Sequence, residues 1–297
     1  MKRVILAGGS GFVGTALAPA LRLKGFEPIV LGRDSTDLRW DGKTLGAWAT
    51  ALEGAEAVVN QTGKNINCRH TAENRREIIR SRVDSVRVLG DAIARCVTPP
   101  RIFVQASGVG YYGDTGDRLA DESSLPGNDF PAEVCRQWEG AFDALELPST
   151  RKVILRLAVV LGRDGGALPM LEKLTRWFLG GAVGNGRQFI SWIHAADVVR
   201  MFVSAIEQAQ LTGAFNATSP APVTNSDFMR ELRRALRRPW SPPAPAPLAR
   251  AAAWVMGSNG DLALLSNRCV PRRFLEHGFD FEFPTLPAAL ADLYSKQ

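Results

Sequence analysis

Gly8, Gly11 and Gly14 stand at a G-x-x-G-x-x-G spacing. They follow the apolar run Val4-Ile5-Leu6-Ala7 and precede a helical pattern of Leu17, Leu21 and Leu23. Strand, glycine-rich turn and helix in this order can hold a dinucleotide by its pyrophosphate. Gly8 can make the tight turn, Gly11 lets a phosphate approach the backbone, and Gly14 lets the helix pack closely on the strand. Ser10, Phe12 and Val13 complete the loop. Free N–H groups at the helix start then face the phosphates, with the helix dipole in support.

The next strand end reports which dinucleotide. A site for NAD usually has an acid there, bonded to the ribose 2′-OH. Here residues 28–31 read as strand, and Gly32-Arg33-Asp34 follow. Arg33 is the first polar side chain past the strand. It can stack on adenine and pair with a 2′-phosphate, which predicts NADP. Asp34 facing the ribose instead would favour NAD. Gln61, Thr62 and Gly63 end a further strand where the backbone should pass the adenosine ribose. Ala106 and Ser107 end another, toward the nicotinamide side.

These residues need a scaffold that gathers strand ends. Apolar runs at 28–31, 57–60, 102–106 and 153–160 alternate with helical stretches at 73–96 and 131–145. This rhythm predicts an α/β fold, a Rossmann-type doubly wound parallel sheet with a smaller C-terminal portion on the substrate side. The expected division is 1–161 for the nucleotide-binding domain, its sheet completed by about 190–218. Residues 162–189 and 219–297 form the smaller portion. Within the smaller portion, helices are expected at 168–178, 248–256 and 286–293. Residues 194–208 and 214–217 supply the helix and strand that return to the sheet. Five prolines between Pro239 and Pro247 read as a stiff linker into a distinct tail.

Composition narrows the function classes. The 297 residues are 45% apolar and 22% charged, as in ordinary globular proteins. No run approaches the ~18 apolar residues of a membrane span, and the start does not read as a signal segment. The net charge of +6 falls largely on helical arginines such as Arg75, Arg76, Arg80, Arg230, Arg233 and Arg234, which read as solvated faces. No groove-reading motif accompanies them, so nucleic acid is not expected. The four cysteines have no C-x-x-C spacing and fit a reduced, cytoplasmic protein. Three scattered histidines give no metal-ligand spacing. The seven tryptophans read as core and rim packing. A small-molecule substrate and a monomer or homodimer are expected.

Taken together, the motifs resemble the atypical branch of the extended short-chain dehydrogenase/reductase superfamily, the NAD-dependent epimerase/dehydratase-like "epimerase family" proteins with their own C-terminal domain. The resemblance covers nearly the whole chain. It runs through Gly8 to Gly14, Ser81-Arg82-Val83, Gly110-Tyr111-Tyr112-Gly113, Trp138-Glu139 and Arg156 to Gly162. It continues through Gly184-Asn185-Gly186-Arg187-Gln188, Ser191-Trp192-Ile193-His194 with Asp197, Phe215-Asn216 and the tail from Pro271 to Phe279.

The resemblance implies redox or epimerase chemistry on a hydroxyl or carbonyl, with a nucleotide-linked sugar as one substrate class. Ordinary members use a Ser/Thr with a Tyr-x-x-x-Lys pair, the Lys lowering the pKa of the proton-transferring Tyr. This chain departs from them. The corresponding segment reads Phe130-Pro131-Ala132-Glu133-Val134, and no Tyr-x-x-x-Lys occurs anywhere. Aligning Tyr112-Gly113 on the usual motif puts Gly108, not Ser107, at the catalytic serine.

Two readings follow. One is a rearranged acid–base set drawn from Ser107, Tyr111 and Tyr112. The other is a catalytically silent NADP-binding sensor or regulator. Lys64 and Arg82 are expected on the substrate side, Arg82 about where ordinary relatives carry an active-site Asn, with a solvated helix charge as its equal alternative. By the same resemblance Arg187, Trp192 and His194 face the substrate pocket, with a structural histidine tying loop to helix as the other reading of His194.

Overall fold

The computed structural model describes residues 2–295. The first half alternates strand and helix. Its strands are β1 (Lys2–Ala7), β2 (Phe26–Gly32), β3 (Leu38–Arg39), β4 (Ala57–Asn60), β5 (Ile102–Gly108) and β6 (Arg151–Leu157). Its helices are α1 (Phe12–Leu23), α2 (Ala72–Ala94) and α3 (Phe130–Asp143). The second half contributes β7 (Val159–Gly162), β8 (Gly165–Gly166), α4 (Leu168–Arg176), β9 (Phe189–Ile190) and β10 (Trp192–His194). Then come α5 (Ala195–Glu207), β11 (Gly213–Ala217), β12 (Val223–Thr224), α6 (Asn225–Ala235), α7 (Ala246–Val255), α8 (Arg272–Glu276) and α9 (Leu286–Tyr294).

Seven strands form one parallel sheet in the order β11-β6-β5-β4-β1-β2-β3. Its central strands are apolar throughout because both faces are covered; Val4, Ile5, Leu6 and Ala7 are fully buried. The crossovers through α1 and α2 run in opposite directions along the sheet. Right-handed connections therefore place the two helices on opposite faces. α1 packs beside α5, and α2 beside α3. Strand order reverses between β1 and β4, which opens a crevice at their C-terminal ends.

The expected strand over 153–160 is two strands. It breaks at Ala158, whose N–H bonds Ala217 at the sheet edge, while the next N–H, on Val159, bonds Ser191. β7 thereby leaves the large sheet and pairs with β10 and β8. A second core of Leu161, Leu168, Trp192, Phe228, Leu232 and Leu290 lies under this smaller layer. The proline-rich stretch after Pro239 is not a free linker. Ala244 exchanges backbone hydrogen bonds with Ala182 and Gly184, and a side chain on Gly181 would collide with the Pro242 carbonyl.

Candidate active site

The glycine loop is shaped by contacts at each position. Gly8 sits at φ +77°, and a Cβ there would stand 3.0 Å from the Gln61 and Thr62 backbone. A Cβ on Gly14 would come within 2.5 Å of Gly9. The close approach expected of Gly14 is therefore to the loop itself, and Gly9 belongs to the same constraint. Gly11 is different: its Cβ position meets only the Gly8 carbonyl, leaving the remaining side open. α1 begins with Gly11 as N-cap and no side-chain cap. α2, α3, α5 and α6 are all capped by a side chain, from Thr71, Asp129, His194 and Thr224. α4, α7, α8 and α9 also lack a side-chain cap, but the open first turn of α1 is the one that follows the glycine loop at the end of β1.

Phe12 and Val13 enter α1 here, but the Phe12 ring turns away from the loop. It fills a slot made by Gly162, Gly165 and Gly166, where a Cβ on either of the first two would lie 2.6 Å from it. Phe12 thus ties the glycine loop to the β7–β8 turn. Ser10 is exposed beside Gly32, and Arg33 and Asp34 are both exposed past β2. The loop behind them is fixed to β2: Ser35 donates to the Val30 carbonyl and Asp37 accepts the Val30 N–H.

Across the crevice, Asn60 is fully buried, bonds Ser85 and Gln105, and accepts the Thr62 N–H at 3.0 Å. The buried side-chain atoms Gln61 Nε2, Thr62 Oγ1, Arg82 Nε and Trp138 Nε1 have no hydrogen-bond partner among the described residues. Buried polar atoms are rarely left so, and each asks for an absent group. Arg82 donates to the Lys64 and Ile78 carbonyls and stacks over Trp138 at 4.8 Å. Burial pulls its pKa down to about 10, and among the described residues no carboxylate pairs with it. Gly63 lies against its guanidinium. Lys64, expected on the substrate side, has its ammonium 2.7 Å from Asn74 Oδ1, which ties it to α2.

The three hydroxyl candidates separate. Ser107 is buried and donates to Glu139 Oε1 at 2.6 Å. Glu139 also accepts from Arg156, whose Nε lies 2.9 Å from Oε1 and 3.2 Å from Oε2 and whose Nη2 lies 2.7 Å from Oε2. Arg156 Nη1 donates to the Tyr112 hydroxyl at 2.8 Å, which donates to Asn216 Oδ1 at 2.7 Å. Tyr112 is 1% exposed, and burial pushes its phenol far above the ordinary range against the opposing pull of Arg156. Expected at the crevice, Tyr112 is a strut inside the molecule. Tyr111 is half-buried, its ring 3.5 Å from the Arg156 guanidinium, and its hydroxyl has no partner among the described residues. Cys135, one residue past Val134, lies on Gly108 with its thiol pushed up to about 11 by burial.

Two further residues expected on the substrate side lie inside the molecule, His194 in its alternative role of tying loop to helix. Trp192 is fully buried and donates its indole N–H to the Ala221 carbonyl. His194 caps α5 by accepting the Ala196 N–H and stacks on Phe283 at 4.0 Å. All three residues of β10 are buried, although it is the edge strand of its three-stranded sheet. Asp197 accepts the N–H groups of Glu282 and Phe283 and so fastens the tail. Arg187 remains exposed. It lines a cavity of ≈ 500 Å³ with Asp114, Asp117, Asn185, Gln188 and Arg250.

The network of Glu139, Arg156 and Asn216 was not picked out from the sequence as a unit. One signal was available: Arg156 falls inside an apolar strand, and a charge there needs a buried partner.

Comparison with known proteins agrees with this geometry. The model of the "NAD dependent epimerase/dehydratase family" matches residues 4–217, and that of "Domain of unknown function (DUF1731)" matches 244–293. Epimerase family protein SDR39U1 of Mus musculus is 37% identical over 98% of this chain and 99% of its own length. An epimerase family protein of Mycobacterium leprae is 35% identical over 97% of this chain and 94% of its own. The crystal structure of human SDR39U1 with NADPH superposes with a TM-score of 0.91, at 33% identity, covering 99% of this chain and 100% of that one. A nucleoside-diphosphate sugar epimerase from Corynebacterium glutamicum gives 0.81 at 32% identity, with 59% of its chain covered. The parallel sheet, the glycine loop and the matched tail all lead to one assignment: this chain belongs to the NAD-dependent epimerase/dehydratase family, as an atypical extended short-chain dehydrogenase/reductase carrying the DUF1731 domain.

Proposed function

We propose that this chain binds NADP(H) in the crevice between β1 and β4 and works as an oxidoreductase or epimerase on a hydroxyl or carbonyl of a small polar substrate. One observation carries the cofactor reading. The uncapped first turn of α1 and the orphaned Gln61 and Thr62 side-chain atoms border the same glycine turn. Gly8, Ser10, Gly11, Phe12, Val13 and Gly14 would hold the pyrophosphate. Gln61, Thr62 and Gly63 would hold the adenosine ribose, and Ala106 and Ser107 would border the nicotinamide side. Arg33 would pair with a 2′-phosphate, in keeping with the NADPH in the human relative's structure. Bound there, the dinucleotide supplies a hydride donor or acceptor. Titration of the protein with NADPH and NADH by fluorescence tests the reading: tight NADPH and weak NADH support it, equal binding shifts the reader to Asp34, and no binding removes it.

The residues of this chain divide the remaining work. Glu139, Arg156 and Asn216 hold Ser107 and Tyr112 in fixed positions. Tyr111 keeps a free hydroxyl and is the group able to move a proton to or from a substrate oxygen. The Arg156 guanidinium stacked on its ring holds the ring in place. Arg82 offers an unpaired cation to an anionic substrate group, and Arg187 lines the polar cavity. Tyr111→Phe should then reduce turnover roughly 100-fold or more, as loss of a general acid–base group does.

A second reading is favoured by the engagement of Ser107 and Tyr112 within the protein: an NADP-binding sensor without hydride transfer. A substrate-dependent change in the absorbance of bound NADPH across a panel of carbonyl compounds and nucleotide sugars decides between the two.

A further inference from the structure

α4 and α6 pack side by side and end in the same way. At the end of α4 the Phe178 N–H bonds Thr175 and the Leu179 N–H bonds Leu174. At the end of α6 the Arg237 N–H bonds Arg234 and the Arg238 N–H bonds Arg233. Each is a two-bond helix stop whose central residue takes a left-handed backbone, a place usually given to glycine. Here those residues are Phe178 at φ 61° and Arg237 at φ 53°, the only two non-glycine residues with positive φ among the described ones. A bulky aromatic held there is a genuine outlier. Strain of this kind is retained where something needs the side chain in place.

What these two stops present is unusual for a surface. Trp177, Phe178 and Leu179 are consecutive and 72%, 52% and 63% exposed. Trp240, also 72% exposed, follows close by: Arg238 just before it stacks on Phe178 at 5.5 Å, and Pro242 just after it covers Gly181. Cations share these helix ends: Lys173 and Arg176 in the last turn of α4, Arg233 and Arg234 in that of α6, and Arg237 and Arg238 just past it. Arg176 and Arg234 are paired to Glu172 and Glu231, and Arg233 bonds the Gly180 carbonyl. Arg237 is exposed at the tip of its turn.

We propose that this face docks on an anionic lipid bilayer, with Trp177, Phe178, Leu179 and Trp240 entering the headgroup region and the surrounding arginines meeting lipid phosphates. Two observations choose this occupant. Indole and phenyl rings flanked by basic side chains match the chemistry of a membrane interface, apolar within and anionic at the rim. A second copy would bring the same cations together, and like charges across an interface oppose it. No helix among the described residues is long and apolar enough to cross a membrane, and this contact needs none.

The experiment is sedimentation of the full chain with phosphatidylcholine vesicles, with and without phosphatidylglycerol, over a salt series. Wild type should bind the anionic vesicles at low salt, release as salt rises, and show a blue-shifted tryptophan emission when bound. Two double variants separate binding from folding. Trp177→Ser with Trp240→Ser removes exposed rings only. Phe178→Gly with Arg237→Gly suits the left-handed backbone, so melting temperature should hold or rise while vesicle affinity falls at least roughly fivefold, the share of one cation at such a surface. NADPH binding should be unchanged in both, so this test stands apart from that of the crevice. The proposal is overturned by absence of binding to anionic vesicles at low salt, or by undiminished binding in both variants. Binding to polyglutamate in place of vesicles overturns it in favour of an acidic protein partner. Lipid-free self-association that the variants abolish overturns it in favour of a second copy.

Discussion

Glu139 and Arg156 meet as a bidentate pair with each side chain 6% exposed, Arg156 Nη2 lying 2.7 Å from Glu139 Oε2. α3 delivers the acid and β6 the base, so the pair bolts a helix to the sheet next to the crevice. Burial alone would lower the Arg156 pKa, but Glu139 more than offsets it and the guanidinium stays charged.

Removing one partner of this pair should be far worse than removing both. Glu139→Leu leaves a buried guanidinium unpaired, and a loss of about 3–5 kcal/mol is expected. Glu139→Leu with Arg156→Met should lose clearly less, because no charge is stranded. Urea unfolding of the two variants measures both values, and equal losses would mean the pair contributes only as bulk.

Arg33→Ala should weaken NADPH by about 1.5–3 kcal/mol, roughly 10- to 100-fold, through loss of a charged hydrogen bond to the 2′-phosphate. NADH should be nearly unaffected. A parallel loss for both nucleotides, read by fluorescence titration, would show Arg33 acting on adenine alone.

Gly14→Ala places a methyl group 2.5 Å from the Gly9 backbone. Backbone on backbone cannot rotate away, so α1 must shift off the loop at a cost of about 1–3 kcal/mol. Nucleotide binding should fall with it. Thermal melting with and without NADPH tests this: the variant should lose both intrinsic stability and the ligand-induced rise.

Acid should destabilise the fold through His194. Burial holds its pKa below the ordinary 6.5, and Asp292, Asp197 and Glu282 oppose that shift without reversing it. The unfolded chain therefore takes the proton first. The contribution of neutral His194 is fully present above about pH 6.5 and declines as pH falls toward the folded-state value, by at most ~1.4 kcal/mol per unit. His194→Asn keeps an acceptor for the Ala196 N–H and should flatten that slope in unfolding free energy.

Sequence alone was most informative where chemistry and chain position coincide. The β1–loop–α1 unit was legible because three glycines, an apolar run and a helical pattern sit within two dozen residues. The seven-stranded parallel sheet was legible in outline for the same reason, since buried parallel strands are plain apolar runs. The run at 153–160 misled because an apolar stretch shows no sign of changing sheets; the hydrogen bonds of Ala158 and Val159 to distant strands make the break.

Side-chain roles were less legible. Tyr111 and Tyr112 are neighbours of one type, yet one hydroxyl has no partner among the described residues and the other is enclosed by Arg156 and Asn216. Trp192 and His194 were pocket residues by family resemblance, and β10 carries them inside.

The sequence by itself determined the family, the glycine cradle and the absence of a Tyr-x-x-x-Lys pair, because these depend on residue types at short spacing. Only the tertiary structure decided which hydroxyl stays free and which charge goes unpaired. It also decided which aromatics face outward. Those outcomes depend on partners 32 to 104 residues apart, as in Ser107–Glu139 and Tyr112–Asn216, and burial is a property of the folded neighbourhood, not of the chain.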